Sequence, residues 1–308
     1  MIQETPEALL SSLSPQHLND LLETGRLGLC TGPFTFRIHS SEPIVAHNLA
    51  LLYGAHPVID TPDFADFHVS IARPASLRRW FAPQVHFRMD GYAPFYSLPA
   101  PQAFAMLEWG MNWCIASNSH QYLLLHAAVL AKGDAAVLMP AAPGSGKSTL
   151  CASLALSGWR LLSDELAMID PATLDVLGLA RPINLKNASI EIIQRRYPDA
   201  VLNTPIPDTK KGTVAHVRPP LAAAEAHRQP ARIRWILTPR YDEHTVCAPT
   251  GLAPRDAMAS LIDNAFNYDV LGEAGFRAAS RIVAESHAFT LRYSDLDAAH
   301  AWIAEHLA

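Results

Sequence analysis

The chain has 308 residues, of which 49% are hydrophobic and 17% charged, and its net charge is −5. That composition excludes a disordered or fibrous chain, and a length about twice the usual domain of roughly 150 residues predicts two domains. The mild negative charge argues against a protein built mainly to hold nucleic acid or an anionic membrane surface.

Residues 1 to about 28 read as helical. Leu9, Leu10, Leu13, Leu18, Leu21 and Leu22 recur at near-helical spacing, and Ser14-Pro15 offers an N-cap followed by proline at the first helical position. An acid stands where a secretory signal would carry basic charge, and no uninterrupted apolar run reaches the roughly 18 residues of a membrane helix. From Cys30 to about Pro101, stretches such as Phe34–Ile38 and Phe67–Ile71 alternate apolar with polar residues, punctuated by Pro33, Pro43, Pro57, Pro62, Pro74 and Pro83. This predicts a small strand-rich region. Pro101 to Asn118 predicts a helix packed on two sides, with Met106, Leu107, Trp109, Met111, Trp113 and Ile115 spread over most of its faces. Residues 1–118 are thus expected to form a smaller mixed helix/strand domain, suited to recognising a substrate or partner, and residues 119–308 a second domain.

The second domain opens with two apolar runs, His126–Ala131 and Ala135–Met139, joined by the hairpin-like turn Lys132-Gly133-Asp134. Leu150–Ser157 reads as a helix closed by Gly158, and Trp159–Ser163 and Leu166–Ile169 as strands flanking an acidic pair. Ile233–Leu237 reads as a strand closed by Pro239, and Arg255–Phe266 and Leu296–Leu307 as helices. Cys30, Cys114, Cys151 and Cys247 are far apart with no Cys-x-x-Cys pair, which suits buried free thiols in a reducing cytoplasm.

The chemistry concentrates in Pro143-Gly144-Ser145-Gly146-Lys147-Ser148-Thr149, which lies between an apolar strand and a helix. In such a phosphate loop, consecutive backbone amides wrap a phosphate chain, the lysine reaches the β/γ-phosphates and the serine hydroxyl ligates Mg2+. The full pattern would place a glycine at Ala141. About 17 residues after Lys147, Asp164-Glu165 sits between apolar runs, where a carboxylate at a strand end can hold Mg2+ or take a proton from a nucleophile. Arg181, Lys186, Lys210, Lys211 and Arg218 form a scattered basic set, from which one or two are expected to reach a nucleotide's phosphates. The 14 histidines contain no His-Glu-x-x-His, so zinc catalysis is not expected.

The stretch from His126 to Ile169 resembles the catalytic domain of bacterial HPr kinase/phosphorylase, with a histidine opening the strand before the loop and a carboxylate pair after the next helix and strand. More closely, Ser163-Asp164-Glu165, Arg181–Asn187, Lys211–His216 and Asn264–Tyr268 resemble the HPr kinase-related group called kinase A. The resemblance covers roughly residues 120 to 305. It implies an α/β fold with a P-loop kinase core of the HPr kinase type, and an ATP- and Mg2+-dependent kinase acting on a serine hydroxyl. It further implies Lys147 at the β/γ-phosphates, Ser148 and Glu165 at the metal, Asp164 as general base, and His126 as the site histidine. Gly144, Ser145, Gly146, Thr149, Lys186 and Lys211 complete the expected ATP site. The family's first loop glycine is Ala141 here and its second carboxylate is Glu165 rather than Asp. The acceptor implied is a protein or peptide, with no nucleic acid or membrane partner, and the family's hexamers raise homo-oligomerisation for this chain too. Two other readings stay open at this point: a kinase of a small hydroxylated molecule such as free serine, and an ATP-binding regulatory or scaffold protein that transfers nothing.

Overall fold

A computed structural model describes residues 8–74, 81 and 83–307. The chain is α/β and divides into two units, residues 1–115 with 201–218, and 116–200 with 219–308. Among the described residues, no helix is long and apolar enough to cross a membrane.

The first unit opens with β1 (Ala8–Leu9) and α1 (Pro15–Glu23). Ser14 caps α1 by accepting from the His17 amide at 3.2 Å, and Leu18, Leu21 and Leu22 form its buried face. Of the helix expected over residues 1 to about 28, residues 1–7 lie outside the described residues, Leu10–Ser12 form a separate 3-10 turn, and α1 starts only at Pro15. Pro15 lacks the amide a helix interior needs, and the amides of Leu10 and Ser11 bond instead to the carbonyls of His56 and Gly54. Then follow β2 (Leu27–Thr31), β3 (Phe34–Ser40), α2 (Pro43–Leu52), β4 (Pro57–Asp60), β5 (Phe67–Ala72), β6 (Gln84–Met89), β7 (Leu98–Pro99) and α3 (Ala103–Asn118). Among the described residues the strands form a seven-stranded sheet in the order β1-β4-β2-β3-β5-β6-β7. Strand periodicity sends Phe36, Ile38, Phe67, Val69, Ile71, Val85 and Phe87 to a buried face and the alternate residues to the other. The helix α2 lies inside the region expected to be strands only. Its apolar residues cover every face, so it shows no helical period, and Pro43 occupies its first turn rather than breaking a strand.

The second unit begins with β8 (Leu123–Lys132) and β9 (Ala135–Pro140), an antiparallel hairpin turning at Gly133 with φ +60°. Next come α4 (Lys147–Leu156), β10 (Arg160–Ser163), β11 (Leu166–Ile169), β12 (Asp175–Leu177), β13 (Ile183–Lys186) and α5 (Ala188–Arg196). The hairpin β14 (Ile206–Thr209) and β15 (Gly212–Val217) returns to the first unit, where Ile206 and Val214 pack with Ala105 and Trp109 of α3. This segment was expected within the second domain. Its assignment follows from apolar packing between residues a hundred positions apart, which composition does not display.

The remaining elements of the second unit are α6 (Leu221–Glu225), β16 (Ala231–Tyr241), β17 (Cys247–Gly251), α7 (Pro254–Asp263), α8 (Tyr268–Leu271), α9 (Glu273–Glu285), β18 (His287–Tyr293) and α10 (Leu296–His306). The loop-bearing strand β9 runs parallel to β16, and β16 parallel to β18. β8, β11 and β12 join β9 and β16 in a ladder that closes on itself. Ala257, Leu261, Ala278, Ala279 and Ile282 from α7 and α9 pack with Leu123, Leu125, Ala127 and Val129 of β8. β16 continues through Pro239, which was expected to end it. The β9 ladder stops at Ile236, so at Pro239 only β18 is paired and the missing amide costs no second ladder. None of the four cysteines is in a disulfide; Cys30, Cys114 and Cys151 are buried, and Cys247 is half-buried.

Candidate functional site

The glycine-rich segment joins the end of β9 to the start of α4. Gly144 and Gly146 have φ of +85° and +86°, the left-handed region that favours glycine. Ala141 is buried and lies outside that region, so the glycine missing there is not needed for backbone shape. At Gly146 a second demand applies: a Cβ would stand 2.6 Å from the Tyr293 hydroxyl. That hydroxyl donates to the Gly146 carbonyl at 3.0 Å, and the Tyr241 amide donates to the Ser145 carbonyl at 2.8 Å. The ends of two parallel strands therefore clamp the loop. The helix α4 begins at Lys147 and presents the positive end of its dipole to the same place.

Loop and helix form one wall of a cleft of about 870 Å³ within the second unit. Gly144 through Thr149, His126, Asp164, Glu165 and Lys186 all line it. Lys147 is 7% exposed, and its Nζ is buried with no hydrogen-bond partner among the described residues. Burial pulls its pKa down to about 8, against the attraction of Asp164 and Glu165. Asp164 is 8% exposed at the break between β10 and β11. Burial, reinforced by the neighbouring Glu165, pushes its carboxyl up to about 7, and the Asn184 amide, donating to Oδ2 at 2.8 Å, pulls the other way. A carboxyl so placed exchanges a proton near neutral pH.

β13 and α5, which pack against α4, supply more of the lining. Asn187 takes φ +52° just before the helix, and the Ser189 hydroxyl ties the turn by accepting from the Lys186 amide at 2.8 Å and donating to its carbonyl at 2.6 Å. Lys186, Asn187, Ser189 and Arg195 thereby face the cleft. Arg196 is paired with Asp297 of α10, whose N-terminus is capped by Asp295 accepting from the Ala298 amide. His126, half-buried on β8, has its ring edge-on to Phe266 at 6.1 Å. The string Asn264–Tyr268 holds that end of β8: the His126 amide bonds to the Asn264 carbonyl at 2.7 Å, and the Leu124 amide to the Asn267 side chain at 3.0 Å.

Lys211 is not brought to this cleft. It belongs to the first unit, where its ammonium lies 5.1 Å from the Trp109 ring centroid, and Lys210 lies likewise over Tyr96. Arg181 is buried and acts on Asp164 from the second unit. Sequence reasoning passed over Asn184, Tyr241 and Tyr293. Asn184 stood inside a string already singled out. The two tyrosines had no local signal, because the β16–β18 register alone sets them side by side. Among the described residues, no group of three or more His, Cys, Asp or Glu side chains is arranged to hold a metal ion.

No protein-family model and no curated protein matches the chain.

Proposed function

We propose that the second unit is a P-loop kinase core of the HPr kinase type, and that the protein transfers the γ-phosphate of ATP to a serine hydroxyl of a protein or peptide. The observation that carries this reading is the pairing, in one cleft, of an unpartnered buried ammonium on Lys147 with a buried carboxyl on Asp164 that titrates near neutrality. A buried ammonium with no hydrogen bond is costly even with carboxylates near it, and a triphosphate would relieve that cost.

The residues fit a magnesium nucleotide. Ser148 and Glu165 are oxygen donors lining the cleft, and the buried Asn184 Oδ1 has no partner among the described residues. Mg2+ is usually held by one or two protein oxygens plus phosphates, so a full protein cage is not required. When bound, the ion would neutralise charge on the β- and γ-phosphates.

The chain's own groups do the rest. The loop amides and the α4 N-terminus hold the phosphate chain, and Lys147 draws negative charge from the β- and γ-oxygens as the transition state spreads it. Asp164 accepts the proton of the acceptor hydroxyl while that oxygen bonds to the γ-phosphorus and the bond to the β-bridging oxygen breaks, releasing ADP. Glu165 raises the Asp164 pKa and so strengthens it as a base.

The test is label transfer from γ-labelled ATP to serine-containing peptides and to proteins of a host extract. Asp164→Asn should lower transfer by roughly 10³-fold while ATP affinity stays within about threefold. Wild-type protein that binds ATP and labels no acceptor would refute the kinase reading.

A further inference from the structure

The first unit carries a separate cavity of about 280 Å³ on the face of its sheet opposite the buried aromatics. Arg37 and His39 come from β3, His68 and Ser70 from β5, and Arg88 from β6; Asp90 lies just beyond. The register makes them neighbours, with Arg37 opposite His68, His39 opposite Ser70 and Ser70 opposite Arg88. Arg37 on β3 and Arg88 on β6 flank β5 and bring two permanent positive charges to one cavity unless acids offset them. Elsewhere in the unit the offset is built in: Arg26 pairs with Asp20 and Asp60, and Arg73 with Glu42. Here the one acid is already engaged, Asp90 standing 3.2 Å from His68. Arg37 donates its Nε to the Gly25 carbonyl at 2.6 Å, which fixes its guanidinium, and neither Arg37 nor Arg88 has an ion-pair partner among the described residues.

We infer that this cavity is a binding site for a phosphoryl group, either as free phosphate or on a phosphorylated residue. Two guanidinium groups offer the planar donor forks that match tetrahedral oxyanions, the Ser70 hydroxyl adds a donor, and the cavity has room for a phosphate with its linking atoms. The inference does not depend on the kinase reading, since the site lies wholly in the other unit.

Calorimetric titration of the full chain in a Lys147→Ala background, which disables the glycine-rich loop, isolates the cavity. Inorganic phosphate, a phosphoserine peptide and its unphosphorylated twin are the three probes. Phosphate or the phosphopeptide should bind, the unphosphorylated peptide should not, and Arg88→Ala should weaken binding at least tenfold without lowering the melting temperature. Phosphopeptide binding tighter than that of phosphate assigns the site to a phosphorylated chain, and binding of phosphate alone assigns it to the free anion. Arg88→Lys, which keeps the charge and loses the fork, should recover only part of the affinity. Failure of both phosphorylated probes to bind, or binding unchanged in Arg88→Ala, overturns the inference.

Discussion

In the cleft of the second unit, Lys147 and Asp164 are almost wholly buried, and the Lys147 ammonium has no hydrogen-bond partner among the described residues. On the first unit, Arg26 and Asp60 form an ion pair with about a third of each side chain in solvent. The two regions use a cation and a carboxylate to opposite ends. A solvated pair such as Arg26–Asp60 contributes on the order of 0–1 kcal/mol and asks for nothing further. A buried charge left without a hydrogen bond is a standing cost that the fold carries and a ligand would remove. Charge that destabilises the empty protein is therefore the better pointer to a site than charge that stabilises it.

The sharpest way to break this contrast is to remove the buried ammonium. Lys147→Met should reduce ATP affinity by roughly 100-fold or more, because a desolvated charge contact to phosphate is lost. The same substitution should raise the stability of the empty protein. The Lys147 pKa is about 8 in the folded state against an ordinary 10.5, so folding disfavours the cation by roughly 3 kcal/mol at pH 7. That cost is fully present below pH 8 and disappears as pH rises toward 10.5, so wild-type stability should climb over that window and the Lys147→Met protein should not follow. Arg26→Ala, by comparison, should move stability by no more than about 1 kcal/mol. Thermal melts with and without ATP read both effects, and a Lys147→Met protein less stable than wild type would break the comparison.

A second test uses pH alone. The Asp164 carboxyl is raised from 3.8 to about 7, so the empty folded protein favours its protonated form and should lose stability as pH climbs between those values. A base must be deprotonated to act, so kcat/KM should rise about tenfold per pH unit below 7 and level off above it. As Lys147 loses its proton above about 8, ATP affinity should fall and close the profile into a bell whose limbs belong to the coupled pair. A flat profile between pH 5.5 and 7.5 would remove Asp164 from the proton transfer.

Gly146→Ala sharpens the comparison from the backbone side. An alanine at φ +86° costs about 1–2 kcal/mol, and its Cβ would press on the Tyr293 hydroxyl. The variant should fold with stability lower by that amount and bind ATP about tenfold more weakly. Gly144→Ala meets no neighbouring atom and should show the backbone cost alone. Urea melts of the two variants separate strain from collision.

What the sequence displayed was local. The β8–β9 hairpin, α4 and the acidic break between β10 and β11 follow from apolar periodicity and turn residues within a few positions. Lys147 and the Asp164-Glu165 pair were found by spacing along one strand–loop–helix–strand run, whereas His126 and Lys186 came only from the resemblance, and all five line one cleft. The elements it concealed depend on distance. α2 is apolar all round and gives no period, the β14–β15 hairpin finds its unit only by packing on α3, and the burial that shifts Lys147 and Asp164 comes from elements far apart in the chain. Lys211 was chosen for its neighbours in sequence, and its neighbours in space are those of the other unit.

Tyr293 gives the finest test, because its part in the site rests on one hydrogen bond. Burial pushes the phenol pKa up, so its hydroxyl remains a donor to the Gly146 carbonyl throughout the working pH range. That carbonyl also accepts the Leu150 amide at 3.0 Å, the first bond of α4, so Tyr293→Phe leaves it partnered and removes only a neutral bond. The expected loss is about 1 kcal/mol, which corresponds to roughly fivefold weaker ATP binding. Because the tyrosine holds the loop and does not touch the transferring group, KM should rise by that factor while kcat stays within about twofold. A fall in kcat of tenfold or more at unchanged KM would place the tyrosine in the chemistry instead, and unchanged kinetics would mean that the loop keeps its shape through Gly144, Gly146 and the Tyr241 amide alone.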